Sequence, residues 1–337
     1  MKTIFVVDDS DINLIKIKSI LKKHYRIITI VSAERLFLLI AKVMPDLILL
    51  DINMPDMDGF SALKKLKEDK HTAQIPVIFL TAFTDENIEV QGFKMGVVDF
   101  LIKPFSFPIL INRIETHLNI DALIKKRTAK IEELKNGIIV VMADMIENRD
   151  QETGGHIERT TAYIEILVNK MIKLDVYKSE LSELNLPLLI SSSRLHDIGK
   201  IAISDSILNN PDGLTLEEFE IMKSHAKAGE QIINKVALRT GDDVFLQNAK
   251  MFAGYHHERW DGEGYPYRLE GKNIPLQGRL MAFADVYDAL ISSRPYKKAF
   301  THEEAINIIM ENSGKQFDPF ISEVFYEAMD EFGAVKS

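Results

Sequence analysis

The sequence has 337 residues, enough for two domains, and its 46% hydrophobic content is enough for ordinary packed cores. A formal net charge of -9 argues against binding nucleic acid through its backbone alone, so a phosphate ligand must be held by local cations or metals. The absence of cysteine excludes disulfides and thiolate metal sites. The N-terminus has the pattern of neither a signal peptide nor a membrane span, and no later apolar run could cross a bilayer, so we expect a soluble cytoplasmic protein.

Residues 1–120 alternate short apolar runs with stretches of helical periodicity. The first apolar run, residues 4–7, lacks period-two alternation, which is typical of a strand buried on both faces. The apolar runs together predict strands at residues 4–7, 27–31, 47–50, 77–80 and 100–102. Helical spacing predicts helices at residues 11–24, 33–44, 59–70 and 87–95. The order of these elements predicts an α/β doubly wound fold on a five-stranded parallel sheet.

Polar residues follow four of the predicted strands. Asp8 and Asp9 follow the first, Asp51 the third, Thr81 the fourth and Lys103 the fifth. Ligands of doubly wound sheets bind at the carboxyl ends of the strands. Three carboxylates there repel one another unless a cation is present, and Mg²⁺ with few protein ligands suits them. Each residue alone is more often a solvated loop residue, so the interpretation rests on all five together.

These residues resemble those of the receiver domains of bacterial two-component response regulators. The resemblance rests on Asp8-Asp9, Asp51 with the segment MPDMDG at residues 54–59, Thr81-Ala82 and Lys103-Pro104. It implies a flavodoxin-like receiver domain in which Asp51 accepts a phosphoryl group from a partner sensor histidine kinase. Asp9, Asp51 and the backbone carbonyl of Asn53 would bind Mg²⁺, Lys103 and the Thr81 hydroxyl would hold phosphoryl oxygens, and Phe100 occupies the family's aromatic switch position.

Residues 108–148 predict one continuous helix of about 60 Å. Its apolar residues recur at alternating steps of three and four, interrupted by Arg127. They are Ile120, Ile124, Ile131, Leu134, Ile138, Val141 and Met145. This heptad seam predicts a two-stranded coiled coil and a homodimer. The alternative is that the part from Ile138 onward is the first core helix of the next domain. The expected boundaries are a first domain at residues 1–120, a helical linker at 121–137 and a second domain at 138–337.

The second domain is expected to be all-helical and rich in candidate metal ligands. Helical patterns cover residues 163–174, 187–196, 216–234, 243–256, 277–290 and 303–311. The candidates are Glu152, His156, His196, Asp197, His225, His256, His257 and Asp285. Imidazole and carboxylate donors without sulfur suit Mn, Fe, Co, Ni or Zn. One histidine on an apolar helix face is more often a core residue, so the number of candidates carries the interpretation.

Two adjacent histidines cannot face the same way on a regular helix, so His256 and His257 predict a helix end at a site. The loop that follows, residues 258–266, is rich in turn residues and holds the only tryptophan, Trp260. It is either an ordinary loop in which Trp260 covers the core, or a loop packed over a metal site with Tyr265 reaching a ligand.

The second domain closely resembles the HD-GYP family of phosphodiesterases. The resemblance rests on the segments GGHIER at 154–159, LHDIGK at 195–200, HHERWDGEGYP at 256–266, DVYDAL at 285–290 and RPY at 294–296. Two departures are visible. Residues 201–204 stand where the family more often has Gly and Pro, and Ala226 follows His225 where Pro is common. Neither departure replaces a candidate metal ligand.

The resemblance implies which residues bind metal and substrate. The implied metal ligands are His156, His196, Asp197, His225, His256, His257 and Asp285, with Asp197 bridging two ions. Glu152 matches members of the family that hold three metals rather than two, and Fe or Mn are the expected metals. His196, Asp197 and Lys200 are the implied catalytic residues. The implied substrate contacts are Lys200, Tyr265, Arg294 and Lys297.

The implied activity is metal-dependent hydrolysis of cyclic di-GMP to linear pGpG, and with three metals on to GMP. Phosphorylation of Asp51 would regulate it through the long helix. Two alternatives are a catalytically weak cyclic di-GMP receptor that acts through protein contacts and a hydrolase of a related cyclic dinucleotide. The acidic charge and the absence of a basic recognition helix argue against direct DNA binding.

Overall fold

The computed structural model describes residues 1–82, 86–149, 155–211, 213–241, 243–292 and 299–335. The chain divides into two compact units, Met1–Glu132 and Glu133–Ser337. Among the described residues, no helix combines the length and the apolar composition that a bilayer span requires.

The first unit is built on a five-stranded parallel sheet with the strand order β2-β1-β3-β4-β5. The strands are β1 (Thr3–Val7), β2 (Arg26–Ile30), β3 (Leu47–Asp51), β4 (Val77–Thr81) and β5 (Asp99–Ile102). Every residue of β1, β3 and β4 is buried, as their continuous apolar runs predict for strands covered on both faces. The predicted doubly wound sheet is therefore confirmed.

Helices cover both faces of this sheet. They are α1 (Asp11–Leu21), α2 (Ala33–Ile40), α3 (Gly59–Glu68) and α4 (Glu86–Lys94). Ser10, Ser32 and Asp58 cap the first three, because each side chain accepts a backbone N–H of the first helical turn. Successive strand residues point to opposite faces, so Leu49 and Leu50 enter two different cores. This packing aligns the carboxyl ends of the central strands along one edge.

One long helix, α5 (Phe107–Glu147), continues for 41 residues, close to the predicted range of 108–148. Near its start, Leu110 and Ile114 are buried in the core of the first unit. The seam residues behave differently, since Ile131 is 64% exposed and Ile138 is 60% exposed. Close to the end of the helix, Ile146 is buried in a core of the second unit. The helix therefore contributes to both cores and leaves its heptad seam facing solvent.

Helices dominate the described part of the second unit, as the sequence predicts. They are α6 (His156–Lys173), α7 (Lys178–Ser182), α8 (Leu186–Ser192), α9 (Asp205–Leu208), α10 (Leu216–Thr240), α11 (Val244–Tyr255), α12 (Leu276–Ile291), α13 (His302–Glu311), α14 (Pro319–Glu327) and α15 (Met329–Gly333). The largest core includes Tyr163 of α6, Phe283 of α12 and Phe325 of α14, all fully buried. This core fixes α6 and α12 side by side.

The helix predicted at residues 187–196 ends earlier than expected. α8 stops at Ser192, and two short 3-10 helices follow at Ser193–Leu195 and Ile198–Ala202. A Cβ atom on Gly199 would lie 1.9 Å from the backbone carbonyl oxygen of His225, so only glycine lets this segment approach α10 so closely. The irregular backbone thereby brings residues 196 and 197 against α10.

Candidate metal centre

Imidazole and carboxylate groups from distant parts of the second unit converge at one place. The ligand atoms of His156, His196 and Asp285 all lie within 4.8 Å of one another. The ligand atoms of His225, His256 and His257 likewise lie within 4.8 Å of one another and form a second group. Among the predicted site residues, Glu152, Arg294 and Lys297 lie outside the described residues.

The carboxylate of Asp197 lies between the two groups. Its Oδ2 is 3.4 Å from Nε2 of His196. Its Oδ1 is 3.4 Å from Nε2 of His225 and 3.6 Å from Nε2 of His256. Burial disfavours the charge, but Lys200 and His196 hold the pKa of Asp197 well below its ordinary value. The side chain is therefore an anion with one oxygen facing each group, as a bridging ligand requires.

Backbone carbonyls determine which nitrogen of these histidines carries the hydrogen. Nδ1 of His196 lies 3.0 Å from the carbonyl oxygen of Ser193, and Nδ1 of His225 lies 2.6 Å from that of Met222. His256 contacts a carbonyl of the preceding turn in the same way, at 3.0 Å. A carbonyl only accepts, so each Nδ1 donates and each Nε2 of a neutral ring carries a lone pair. Burial lowers the pKa of His225 to about 4, which keeps its ring neutral.

The Nε2 atoms of these histidines face one another at short distances. Nε2 of His156 is 3.4 Å from Nε2 of His196, and Nε2 of His225 is 3.2 Å from Nε2 of His256. Two lone pairs at this separation repel, and a cation bound to both removes the repulsion. Neutral imidazoles with carboxylates are a donor set that suits divalent transition metals. The residues present therefore fit a metal centre.

Sequence reasoning missed the residue that orients His156. Nδ1 of His156 lies 2.8 Å from Oδ2 of Asp288, which is 1% exposed. Arg159 donates to the same carboxylate from two nitrogens, at 2.6 and 2.9 Å. Burial disfavours the charge of Asp288, yet His156 and Arg159 lower its pKa. Both partners lie three residues after a candidate ligand, and that helical spacing is the signal that could have found them.

The end of α5 and Arg149, which follows it, contact two segments that border the centre. The carboxylate of Glu147 accepts the backbone N–H of His156 at 2.8 Å and so caps α6 at its first residue. Arg149 donates to the carbonyl of Ile203 at 3.2 Å and to the carboxylate of Asp205 at 2.6 Å. The long helix is thus tied to the start of α6, and the residues directly after it are tied to the segment after the second 3-10 helix.

Two predicted substrate contacts lie beside the candidate ligands. Nζ of Lys200 is 2.9 Å from Oδ2 of Asp197. The ring of Tyr265 lies 4.7 Å from that of His257, centroid to centroid. Burial raises the pKa of Tyr265, so its hydroxyl stays protonated at neutral pH. The centre is therefore flanked by a cation and a hydroxyl donor.

Residues of the loop at 258–266 line a cavity together with His256, His257 and Asp285. As predicted, α11 ends at Tyr255, directly before the histidine pair. The buried carboxylate of Glu258 accepts the backbone N–H groups of Tyr267 and Leu269 at 2.7 and 2.9 Å, which holds the loop in place. Trp260 is only half-buried. Of the two interpretations drawn from the sequence, this geometry favours the loop packed over a site.

A second acidic cluster lies at the carboxyl ends of the strands in the first unit. Carboxylate oxygens of Asp8, Asp9 and Asp51 lie within 4.8 Å of one another. Nζ of Lys103 is 2.7 Å from Oδ2 of Asp8 and 3.1 Å from Oδ1 of Asp51. Burial raises the pKa of Asp51, against the opposing effect of Lys103. The four side chains therefore lie close together at the carboxyl ends of the strands.

The remaining predicted residues of the first unit lie in different environments. Thr81 is buried at the end of β4, whereas Asn53 is exposed. Phe100 is buried, and its ring packs edge-on against those of Phe79 and Phe93, at 5.5 and 5.1 Å. Phe100 thus packs β5 against β4 and α4.

Known families match both halves of the chain. The family model of the response regulator receiver domain matches residues 4–115, and that of the HD domain matches residues 140–321. A relative from Vibrio cholerae serotype O1, named "Probable cyclic di-GMP phosphodiesterase", is 39% identical over 338 residues. That match covers 96% of this chain and 77% of the relative.

Other relatives match the chain in whole or in part. The "Cyclic di-GMP phosphodiesterase response regulator RpfG" of Xanthomonas campestris is 35% identical, over 81% of this chain and 73% of the relative. The "3'3'-cGAMP-specific phosphodiesterase 2" of Vibrio cholerae is 38% identical, over 61% of this chain and 37% of the relative. Among solved structures, the chemotaxis response regulator CheY4 of Vibrio cholerae is 25% identical, covers 35% of this chain and 98% of its own, and has a TM-score of 0.34. The chain belongs to the family of response regulators in which a receiver domain is followed by an HD domain.

Proposed function

We propose that the protein is a metal-dependent phosphodiesterase that hydrolyses cyclic di-GMP to pGpG and, with a third metal, on to GMP. The observation that carries this proposal is the position of Asp197, whose two carboxylate oxygens face two separate groups of imidazoles. The names of two relatives that match most of the chain support the choice of substrate.

The metal ions would be held by the two groups of ligands and by the carboxylate between them. The first group is His156, His196 and Asp285, the second is His225, His256 and His257, and Asp197 is shared. Divalent ions bound there lower the pKa of a water toward neutrality and neutralise charge on a phosphate. Fe or Mn suits these donors, and Glu152 is the proposed ligand of a third ion.

The chain's own residues would hold the substrate phosphate in place. Lys200, which pairs with Asp197 at 2.9 Å, would donate to an oxygen of the phosphate that is cut. Tyr265 would donate its hydroxyl hydrogen to the same group. Arg294 and Lys297 are proposed further contacts. Hydrolysis breaks one P–O3′ bond and forms a P–O bond with water, so the first product carries a 5′-phosphate and a 3′-hydroxyl.

The first unit would control this activity through phosphorylation by a sensor histidine kinase. Asp51 is the proposed phosphoacceptor, and Mg²⁺ would bind Asp9, Asp51 and the carbonyl of Asn53. Lys103, which already forms ion pairs with Asp8 and Asp51, would pair with the phosphoryl oxygens together with Thr81. Phosphorylation would then change the packing of Phe100, and α5 would pass this change on to the second unit.

The exposed seam of α5 supports a parallel homodimer. Ile124, Ile131 and Ile138 occupy one heptad position and Leu134 the other, and all four are more than half exposed. β-branched residues at the first position with leucine at the second favour two-stranded coiled coils. A second copy of the chain would bury this stripe along the helix.

A second candidate function is hydrolysis of a related cyclic dinucleotide. It is favoured by the relative named for 3'3'-cGAMP, which is 38% identical over 61% of this chain. Both substrates present the same phosphodiester to a metal centre and differ in one base. The choice between them therefore depends on base contacts outside the centre.

Turnover of the two substrates by Mn²⁺- or Fe²⁺-loaded protein tests both candidates. We expect kcat/KM for cyclic di-GMP to exceed that for 3′3′-cGAMP by about tenfold or more, as different contacts to one base allow. The reverse preference would establish the second candidate. Binding of cyclic di-GMP without hydrolysis of either substrate would show a receptor and contradict the proposal.

A further inference from the structure

A groove of about 730 Å³ lies beside the candidate metal centre, between α10 and the loop that follows residue 261. A smaller cavity of about 290 Å³ is lined by His256, His257 and Asp285, among others. Lys223, Glu263 and Tyr265 line both of them. The groove is thus an extension of the space in front of the candidate ligands.

Cations line this groove along one helix face and on the opposite loop. Lys223 and Lys227 are four residues apart on α10, so their side chains lie on the same face. Arg268 lines the groove from the loop side. Lys223 pairs with Glu220 at 2.6 Å, whereas Lys227 and Arg268 are exposed. Two basic side chains are therefore presented to a ligand in the groove.

The proposed substrate needs a second anion site. A cyclic dinucleotide carries two phosphodiesters, each with one negative charge, and the metal centre binds only the one that is cut. The other lies on the far side of the ring. A cavity of about 290 Å³ is at the lower limit of ligand pockets, which range over roughly 300–1,000 Å³. The substrate must therefore extend beyond the centre.

We propose that this groove binds the half of the cyclic dinucleotide that is distal to the cut, with Lys227 and Arg268 on the second phosphate. Tyr265 stands where the two cavities meet, with one face of its ring toward His257. The inference rests on the proposed function and adds a binding site for the part of the substrate that does not react. In this proposal, Lys227 and Arg268 increase the affinity for the substrate and the preference for dinucleotides over simple phosphodiesters.

The test compares two substrates on the full-length, metal-loaded protein. One is cyclic di-GMP, and the other is bis(p-nitrophenyl) phosphate, which has a single phosphodiester and no second phosphate. For the variant Lys227→Ala with Arg268→Ala, we expect KM for cyclic di-GMP to rise by about tenfold or more, from the loss of charge-assisted hydrogen bonds. The ratio of the two kcat/KM values should fall by a similar factor. Lys235→Ala, an exposed lysine of α10 outside the groove, is the matched control and should leave the ratio unchanged.

Two results would overturn the inference. One is an unchanged KM for cyclic di-GMP in the double variant, and the other is an equal loss of activity on both substrates, which would place these residues at the centre itself. If the unmodified protein hydrolyses neither substrate, the proposed function fails. Equilibrium dialysis with cyclic di-GMP then still tests the groove, since equal Kd values for the unmodified protein and the double variant would rule it out.

Discussion

Asp288 and His156 form a buried pair in which Nδ1 of the imidazole donates to the carboxylate at 2.8 Å. Arg159 donates two hydrogen bonds to the same carboxylate. The pair fixes the tautomer of His156 and turns its Nε2 toward His196, 3.4 Å away. Carboxylates in this position usually orient and strengthen a histidine that binds metal.

Replacing this carboxylate should weaken metal binding. In Asp288→Asn, the amide can offer His156 a hydrogen as well as an oxygen, so the tautomer is no longer determined. We expect affinity for Mn²⁺ to fall by about 10- to 100-fold. Competition with a chromogenic chelator measures this directly. Asp330→Asn, at an exposed carboxylate, is the control, and equal affinities for the two variants would refute the positioning role.

The close approach of Gly199 to α10 should make this position intolerant of any side chain. In Gly199→Ala, the new Cβ would meet the carbonyl oxygen of His225 at 1.9 Å, so the backbone must move. We expect destabilisation of about 1–3 kcal/mol or more and loss of bound metal, because both segments carry candidate ligands. Calorimetry and metal quantification report the two effects.

Gly137→Ala is the matched control, since Gly137 lies in α5 and a Cβ atom added there would meet none of the described residues within 4 Å. This substitution should stabilise the helix by about 0.5–1 kcal/mol. A Gly199→Ala protein with the melting temperature and metal content of the unmodified protein would contradict the close packing of Gly199 on α10.

Phosphorylation of Asp51 should change the rate of hydrolysis. Treatment with acetyl phosphate and Mg²⁺ is expected to alter kcat/KM for cyclic di-GMP by about fivefold or more in one direction, the range of ordinary coupling energies. Asp51→Asn keeps the shape of the side chain and removes the phosphoacceptor. The same response in Asp51→Asn and in the unmodified protein would show that Asp51 does not carry the control.

The seam of α5 should hold two copies together. Ile131→Lys with Leu134→Lys places charges at two core positions of the proposed coiled coil, where burial without a partner is costly. Sedimentation should show a dimer for the unmodified protein and a monomer for this variant. Glu132→Lys changes charge at an exposed position off the seam and should leave the dimer intact. Sedimentation of the unmodified protein as a monomer would contradict the proposed dimer.

Periodicity was sufficient to predict the fold. Continuous apolar runs identified the buried strands, and the order of strands and helices identified the doubly wound sheet. The end of α8 at Ser192 was not predictable, because the apolar pattern continues to Leu195 and the break follows from how closely Gly199 packs on α10. The local sequence pattern around α8 does not indicate that tertiary contact.

The candidate ligands were predictable from residue type, whereas the contacts that their supporting partners make were not. A histidine next to an aspartate can be recognised as a candidate ligand pair directly in the sequence. Asp288 lies 132 residues from His156, and the pairing exists only because α6 and α12 pack side by side. Glu147 likewise reads as one more acidic residue of a long helix until its carboxylate is seen to cap α6.

The central claim is that Asp197 joins two groups of ligands into one hydrolytic metal centre. It is tested most directly by a time course of cyclic di-GMP turnover, with products separated by chromatography and metal quantified in the same samples, for the unmodified protein and Asp197→Ala. The account predicts at least two metal ions per chain and conversion to pGpG in the unmodified protein, with reduced metal content and no conversion in the variant. Conversion by Asp197→Ala at the unmodified rate would contradict it.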